Sequence, residues 1–219
     1  MAEKYGTIPP KWTKEWWEYF WYYYKWHVII TAAALILVAV TIVQCASRPV
    51  YDMYVVYAGH KNYTEEQSRS IENIIAPSVS DVDGNGKTLV MFKPYMFGDR
   101  AGSEEYDYAI QTKLDLSMGD DCTFIYLFDK AQAQVQLNKS AVSDIFVPAK
   151  QWCDTEGKEV LTSQDGTGYA ANLSESAVLN ENGVYCEDLY IMVKQNYKDD
   201  EKNMTAFESA KAAASMLVR

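Results

Sequence analysis

The amino-acid sequence predicts an α/β protein on a membrane anchor, and two patterns lead to that fold class. Residues 26–46 form one long apolar run near the N-terminus. Beyond residue 49, short β-branched and aromatic runs alternate with stretches of helical spacing. Because such alternation requires crossover connections, we predict a mainly parallel sheet flanked by helices, preceded by an interfacial and transmembrane helix.

The apolar run is long enough to cross a bilayer. It carries no charged residue from Val28 to Val43, and the stretch from Val28 to Ala46 extends about 28 Å as a helix, close to the hydrocarbon thickness. A cleaved or lipoprotein signal ending at Cys45 would need a small residue where this chain has Gln44. A buried core helix would lack the aromatic residues that flank this run. We therefore predict an uncleaved signal-anchor with its transmembrane helix at residues 27–46.

Residues 1–26 are expected to form a cytoplasmic aromatic helix at the membrane interface. Ten of the seventeen residues from Lys11 to His27 are aromatic. Rings with an apolar body and a polar tip settle at the headgroup level. A docking face for another membrane protein is an alternative that this does not exclude. The tryptophans predicted at the interface are Trp12, Trp16, Trp17, Trp21 and Trp26.

The distribution of charged residues predicts the orientation of the chain in the membrane and the classes of partner that it can bind. Residues 1–27 hold four lysines against three glutamates, whereas residues 49–219 hold 15 Lys or Arg against 27 Asp or Glu. The weak positive-inside bias predicts a cytoplasmic N-terminus and an extracytoplasmic α/β domain at residues 49–219. An acidic domain argues against nucleic acid as a partner, because nucleic-acid binding needs clustered cations.

The first half of the domain gives the clearest element signals. We predict strands at residues 51–59, 88–92 and 122–129 from their β-branched and aromatic runs. Thr64 and Gln67 form a capping-box pattern that begins a helix ending near Ile75. A second helix is expected to begin at Ser103 and to stop at Gly119.

The second half is less regular in sequence. A helix is expected from Lys130, followed by a short strand at residues 145–147. Residues 151–183 are rich in Gly, Asp, Ser, Thr and Asn, which indicates a long loop or irregular hairpins. A strand follows at residues 189–194, and the last helix is expected over residues 205–217 with a capping box at Thr205 and Glu208.

No cofactor is expected from the sequence, and calcium at residues 81–92 is the one possibility that it leaves open. The candidate metal ligands are Asp81, Asp83 and Asn85, which have the spacing of an EF-hand with Gly86 at its sixth position. The twelfth position, which should hold a bidentate acid, is Phe92. A phosphate-binding loop ending in Gly86-Lys87-Thr88 lacks its first glycine, and a strand follows where that motif needs a helix. The leading interpretation is therefore a structural turn, in which Asn85-Gly86 leads into the following strand, and a partial calcium site is the alternative.

Three cysteines lie in the outer domain, and one pair of them is expected to be oxidised there. We predict a disulfide between Cys153 and Cys186, because both lie in turn-rich sequence, whereas Cys122 opens an apolar strand.

A ligand site in a parallel sheet lies at the carboxyl ends of its strands. Side chains that follow the three predicted parallel strands are therefore the candidate ligand-binding residues. They are His60, Lys61, Lys93, Tyr95, Asp129 and Lys130. No catalytic motif accompanies them, and with one histidine in the outer domain no histidine pair can be built, so we do not expect an enzyme.

Two segments resemble extracytoplasmic solute-binding proteins. They are DDCTFIYLFDKAQAQVQLNKSAVSDIFVPA and DLYIMVKQN followed by AFESAKAAASMLV. The leader KEWWEYFWYYYKWHVI with YDMYVVYAG also resembles uncharacterised single-span membrane proteins of Gram-positive gut bacteria. The resemblance implies a reduced, membrane-tethered relative whose 171 outer residues hardly make two lobes. We expect a binding or interaction module with the bilayer and a small solute as partners. The alternative is a structural subunit that packs against a membrane-protein partner.

Overall fold

The computed structural model describes residues 10–46, 49–82, 84–98 and 103–219. The chain divides into two compact units, residues 1–49 and residues 50–219. The first unit contains one helix, α1 (Lys14–Ala46), of 33 residues. It is the one helix in the described ranges that is long and apolar enough to cross a membrane, and its apolar segment is exposed throughout. This agrees with the predicted span.

The second unit is built on seven strands within the described residues. They are β1 (Met53–Gly59), β2 (Val90–Met96), β3 (Thr123–Asp129), β4 (Phe146–Val147), β5 (Val160–Thr162), β6 (Gly168–Asn172) and β7 (Leu189–Lys194). Six helices accompany them: α2 (Glu65–Ile75), α3 (Glu104–Ser117), α4 (Lys130–Leu137), α5 (Val142–Ile145), α6 (Ala177–Glu181) and α7 (Glu201–Val218).

The sheet is mixed rather than mainly parallel. Its order is β2-β1-β3-β7-β6-β5, with β4 paired to β7 beyond the end of β6. Strand β1 pairs in parallel with β2 and β3, but β3 with β7, β7 with β6 and β6 with β5 are antiparallel. The α/β class is confirmed, and the parallel arrangement holds for three strands. Of the remaining strands, β4 and β7 match predicted strands, whereas β5 and β6 lie in the irregular stretch at residues 151–183.

Helices cover both faces of the sheet. Alternate residues of a strand point to opposite faces, so Val55 and Tyr57 of β1 join one core while Val56 and Ala58 join the other. The first core is completed by α2, α6 and α7, and the second by α3, α4 and α5. Burial from both sides explains why β1 and β3 are nearly continuous in apolar residues.

The start of α2 was predicted correctly, and the start of α7 was predicted wrongly. The Thr64 and Gln67 capping box forms at the start of α2. The final helix begins at Glu201, one turn before the predicted start, because Asp200 accepts a hydrogen bond from the Asn203 amide at 2.8 Å. Thr205 is therefore inside α7, where its hydroxyl donates to the Glu201 carbonyl at 2.8 Å.

Residues 151–183 are irregular in sequence but form regular elements in the structure, because they pair with one another and with β7. The stretch contains the β5–β6 hairpin, whose register shifts between Leu161 and Thr162, and the short helix α6, so of the two predicted alternatives the irregular hairpin is confirmed and the long loop is wrong. Strand β6 is fixed in register by β7, with Ala171 opposite Ile191. Cys153 and Cys186 are both free thiols, so the predicted disulfide is not formed. The Cys186 thiol instead donates to the Asn180 side-chain oxygen at 3.2 Å.

Candidate functional site

The strand order creates a crevice between the ends of β1 and β3. After β1 the chain turns to α2 on one face, and after β3 it turns to α4 on the other. Neighbouring strands whose connections leave to opposite faces open a gap in which α/β proteins bind ligands. We call this gap the β1–β3 crevice. It lies on the edge of the sheet where β1, β2, β3 and β6 end and β7 begins, here called the carboxyl edge.

Two predicted site residues meet in the β1–β3 crevice. One carboxylate oxygen of Asp129 lies 2.7 Å from His60 Nδ1 and also accepts from the His60 amide at 2.8 Å. The other oxygen accepts from the Gln132 amide at 2.8 Å, so Asp129 caps α4. A carboxylate only accepts hydrogen bonds, so Nδ1 of His60 carries a proton that it donates to Asp129. Asp129 thus fixes the position of the imidazole.

The contact between His60 and Asp129 requires a glycine at the end of β1. A Cβ on Gly59 would lie 2.4 Å from the Tyr57 hydroxyl and 2.8 Å from the carboxyl carbon of Asp129. Both distances are shorter than real contacts, and the Tyr57 oxygen is itself held by the Lys61 amide at 2.9 Å. Gly59 therefore permits the close approach of β1 to Asp129.

Asp107 adds a second carboxylate to the crevice region. It lies in the first turn of α3 and accepts from the Gly98 amide and the Ser103 hydroxyl, each at 2.7 Å. These bonds, the Gly98 amide first, lower the pKa of Asp107, and nearby His60 adds to the lowering. Asp107 was not among the site residues predicted from the sequence. An acidic residue in the first turn of a helix that follows a strand was the available signal, and it is also common in ordinary helices.

Lys130 leads to a polar network around Glu159. Its ammonium lies 3.3 Å from Glu159 Oε1, which also accepts from the Tyr190 hydroxyl at 2.8 Å, while Asn172 donates to Oε2 at 2.8 Å. The Tyr190 hydrogen bond is the largest cause of a lowered pKa at Glu159. The Glu159 hydrogen bond likewise raises the pKa of Lys130. The network joins the start of α4 and the residue before β5 to β6 and β7 at the carboxyl edge.

A cleft of about 430 Å³ opens beside this network. Its walls include Lys158, Glu159, Asn172, Ser174, Ser176 and Asp188. Sequence reasoning missed these residues because they belong to the stretch interpreted as a loop and to the turn before β7. No local pattern marks them, since only the pairing of β6 with β7 brings them together.

The remaining predicted site residues lie elsewhere. Strand β2 runs to Met96, so Lys93 and Tyr95 are inside the strand, opposite Val56 and Ala58 of β1, rather than after it. The Lys93 ammonium lies 3.5 Å from the centre of the Tyr54 ring. Lys61 does follow β1, but its ammonium lies over the Tyr185 ring, 4.2 Å from the centre, and bonds the Glu187 carbonyl.

The proposed calcium loop uses its oxygens to close a turn. Asp81 accepts from the amides of Gly84 and Gly86, both at 2.7 Å, and Asn85 accepts from the Lys87 amide at 2.8 Å. Asp83 lies outside the described residues. Within the part of the chain that the structure describes, no three His, Cys, Asp or Glu side chains are grouped to hold a metal. These hydrogen bonds form a turn, and calcium binding at this loop stays a prediction.

No protein-family model, curated protein or solved structure matches this chain. The likeness to solute-binding proteins therefore stays a prediction.

Proposed function

We propose that this protein is a membrane-anchored extracytoplasmic binding module. In this proposal α1 crosses the membrane with its N-terminus in the cytoplasm, and the α/β domain captures a small polar solute at its carboxyl edge. The observation that carries the proposal is the cleft of about 430 Å³ beside the Glu159 network. Ligand pockets commonly measure roughly 300–1,000 Å³.

The chemistry of the cleft favours a polar solute. Its walls present carboxylates from Glu159 and Asp188, an amide from Asn172 and hydroxyls from Ser174 and Ser176. These groups sit on short connections at the ends of strands, where a rigid sheet positions variable loops. The cleft and the β1–β3 crevice lie on the same edge of one sheet, so one solute or two can be held there.

The geometry favours binding over catalysis. A histidine oriented by a carboxylate can serve as a general base when a nucleophile lies within hydrogen-bond reach. Among the described residues, His60 hydrogen-bonds only to Asp129, and no hydroxyl or thiol contacts its ring nitrogens. We therefore assign the edge to recognition of a solute.

A thermal-unfolding screen tests the binding function. The full chain in lipid nanodiscs is heated with a library of small polar solutes, and unfolding is followed by circular dichroism. A ligand at 100 times its dissociation constant stabilises the folded state by about 2.7 kcal/mol, so a cognate solute raises the Tm by several degrees. Asp188→Asn should reduce that rise, whereas the exposed substitution Glu181→Gln should not. A library without any stabilising solute would overturn the proposal.

The orientation is tested by labelling in intact cells. Lys14→Cys and Glu181→Cys are each placed in a chain whose four native cysteines are replaced by serine. We expect a membrane-impermeant maleimide to label residue 181 and to label residue 14 only after lysis. Labelling of residue 14 from outside would place the α/β domain in the cytoplasm.

The length of α1 supports a second candidate, a subunit of a membrane complex. At about 1.5 Å per residue the helix is about 50 Å long, against about 30 Å of hydrocarbon and about 5–8 Å for one headgroup layer. Residues 14–26 account for about 20 Å of that length. If the axis of α1 is perpendicular to the membrane, part of this aromatic segment extends past the headgroups. A protein partner would be needed there to shield its rings from water.

The aromatic segment also carries a narrow charged stripe, with aromatic rings around the rest of the helix. At about 100° per residue, Lys14, Glu18 and Lys25 fall within about 40° of one another. Trp16 and Phe20 lie on the opposite side, with stacked rings 5.4 Å apart. A charged stripe opposite an aromatic face suits packing against a second helix.

Site-specific photocrosslinking tests this second candidate. A benzophenone amino acid is placed at Phe20 or, as the matched control, at Glu18, and cells are irradiated. We expect one discrete protein adduct from position 20 and none from position 18. Lipid adducts alone at both positions would rule out a helix partner on this face.

A further inference from the structure

One wall of the cleft beside Glu159 is positively charged. Its cations are Lys158, shortly before β5, and Arg219, directly after α7. They lie together because the Lys158 ammonium donates to the Val218 carbonyl at the end of α7. That bond uses one of the three ammonium donors, and the Arg219 guanidinium has no partner among the described residues. This cationic wall therefore keeps most of its donors available to a ligand.

A second wall of the cleft carries two carboxylates. Glu175 follows β6 and Asp188 precedes β7, and both line the cleft. The turns that bear them are joined by the Ser174 hydroxyl, which accepts from the Asp188 amide at 3.0 Å. Within the part of the chain that the structure describes, neither carboxylate has a hydrogen-bond or ion-pair partner. We call this the acidic wall.

The opposite charges of the two walls do not pair with each other. Among the described residues, no ion pair joins Lys158 or Arg219 to Glu175 or Asp188. A volume of about 430 Å³ is that of a sphere about 9 Å across, so one small solute can reach both walls. The remaining charged residue, Glu159, is already engaged in its own network. A solute with a single charge would leave one wall unpaired, whereas a solute with both charges would satisfy both.

We propose that the cleft beside Glu159 binds a small zwitterion. Its carboxylate contacts the cationic wall, and its ammonium contacts the acidic wall. Guanidinium and ammonium groups form charge-assisted hydrogen bonds with a carboxylate, and the guanidinium can form two in parallel. The ammonium of the solute only donates hydrogen bonds, which matches the ionised side chains of Glu175 and Asp188, since these only accept. This inference rests on the proposed binding function and adds the chemical class of its ligand.

Isothermal titration calorimetry with matched probes tests the need for both charges. The full chain in lipid nanodiscs is titrated with ω-amino acids of two to six carbons, and with the alkylamines and alkanoates of the same lengths. We expect at least one amino acid to bind roughly tenfold or more tightly than the amine and the alkanoate of its own length, because only the amino acid pairs with both walls. An amine or alkanoate that binds as tightly as its matching amino acid would overturn the assignment.

Two variants examine the walls separately. Asp188 has a φ of 52°, and asparagine adopts that conformation as aspartate does, so Asp188→Asn removes the charge and keeps the backbone. It should weaken binding of the amino acid severalfold and leave binding of the alkanoate unchanged. Arg219→Gln should also weaken binding of the amino acid severalfold, but should leave binding of the alkylamine unchanged.

Control variants separate these effects from a general change in charge. Glu181→Gln on α6 and Lys202→Gln near the start of α7 each remove an exposed charge outside the cleft. Neither should change the titrations, and an equal loss from Glu181→Gln and Asp188→Asn would contradict the proposal. Glu175→Gln keeps the acidic wall testable if Asp188→Asn fails to fold, because Glu175 is exposed.

The outcomes distinguish this inference from the binding function itself. Tight binding of a singly charged probe would overturn the zwitterion and leave the binding function standing. Silence from every probe would overturn the zwitterion alone if the thermal screen finds another solute. Silence together with a thermal screen that finds no solute would remove the binding function as well.

Discussion

The two halves of the sheet are stabilised in different ways. In the parallel half, β1 and β3 have seven residues each and are buried from both faces. In the antiparallel half, the outer strand β5 has three residues, all at least partly exposed. Its attachment includes the contacts that Glu159 makes to Tyr190, Asn172 and Lys130. Apolar burial therefore dominates in one half, and polar contacts matter more in the other.

This difference relates directly to the candidate site. The β1–β3 crevice stands on the well-buried half, so its groups are held by a rigid base. The cleft beside Glu159 stands on the hairpin, where fewer buried contacts allow adjustment around a ligand. We expect the crevice to be preformed and the cleft walls to move more on binding.

The largest expected effect compares one apolar residue from each half. Ile125 in β3 is fully buried, whereas Val160 in β5 is partly exposed. Ile125→Ala should lower the free energy of unfolding by about 3 kcal/mol through lost burial and a cavity. Val160→Ala should lower it by less than about 1 kcal/mol. Urea denaturation of the full chain in nanodiscs measures both, and equal losses would contradict the distinction between the halves.

A smaller effect is expected where β1 approaches Asp129. Gly59→Ala introduces a Cβ at 2.4–2.8 Å from Tyr57 and Asp129, and such overpacking costs about 1–3 kcal/mol. Gly119→Ala is the matched control, because its Cβ would meet only the Leu116 carbonyl, at 3.3 Å. The same urea experiment compares the two variants. The Gly59 variant should also shift the NMR resonance of His60 Nε2. Equal stability of the Gly59 and Gly119 variants would show that the packing between β1 and Asp129 tolerates an added Cβ.

The same contrast explains which elements sequence alone could predict. Strands β1 and β3 and the Thr64 capping box carry their signals within ten residues, so pattern reasoning found them. The hairpin β5–β6 has no such signal, because its short strands form only when β7 supplies a partner. At the start of α7 two capping patterns compete, and the earlier one at Asp200 adds a further helical turn.

The candidate site divides in a similar way. The rule that ligands bind at strand ends identified His60, Asp129 and Lys130, all of which lie on the carboxyl edge. It misplaced Lys93 and Tyr95, because β2 continues through Pro94 to Met96. The last residue of a strand cannot be assigned from the sequence when its apolar residues give way gradually to polar ones.

The smallest expected effect concerns the charge of Glu159. Its folded-state pKa is lowered, chiefly by the Tyr190 hydroxyl, so its carboxylate stabilises the folded state above the ordinary glutamate pKa of about 4.3. That contribution is lost as the pH falls through the lowered pKa. Because the side chain is half-exposed, Glu159→Gln should cost less than about 1 kcal/mol at pH 7.

The pH dependence of that cost decides whether the hairpin depends on charge. The stability difference between the natural chain and Glu159→Gln should be largest above the ordinary glutamate pKa and should decline as the pH falls through the lowered pKa of Glu159. Glu181→Gln on α6, outside the network, should show no such trend in the same urea series. A difference that is constant with pH would mean that Glu159 acts only through its shape and neutral hydrogen bonds. Apolar packing would then hold β5 as it holds β3, and the two halves would differ in degree rather than in kind.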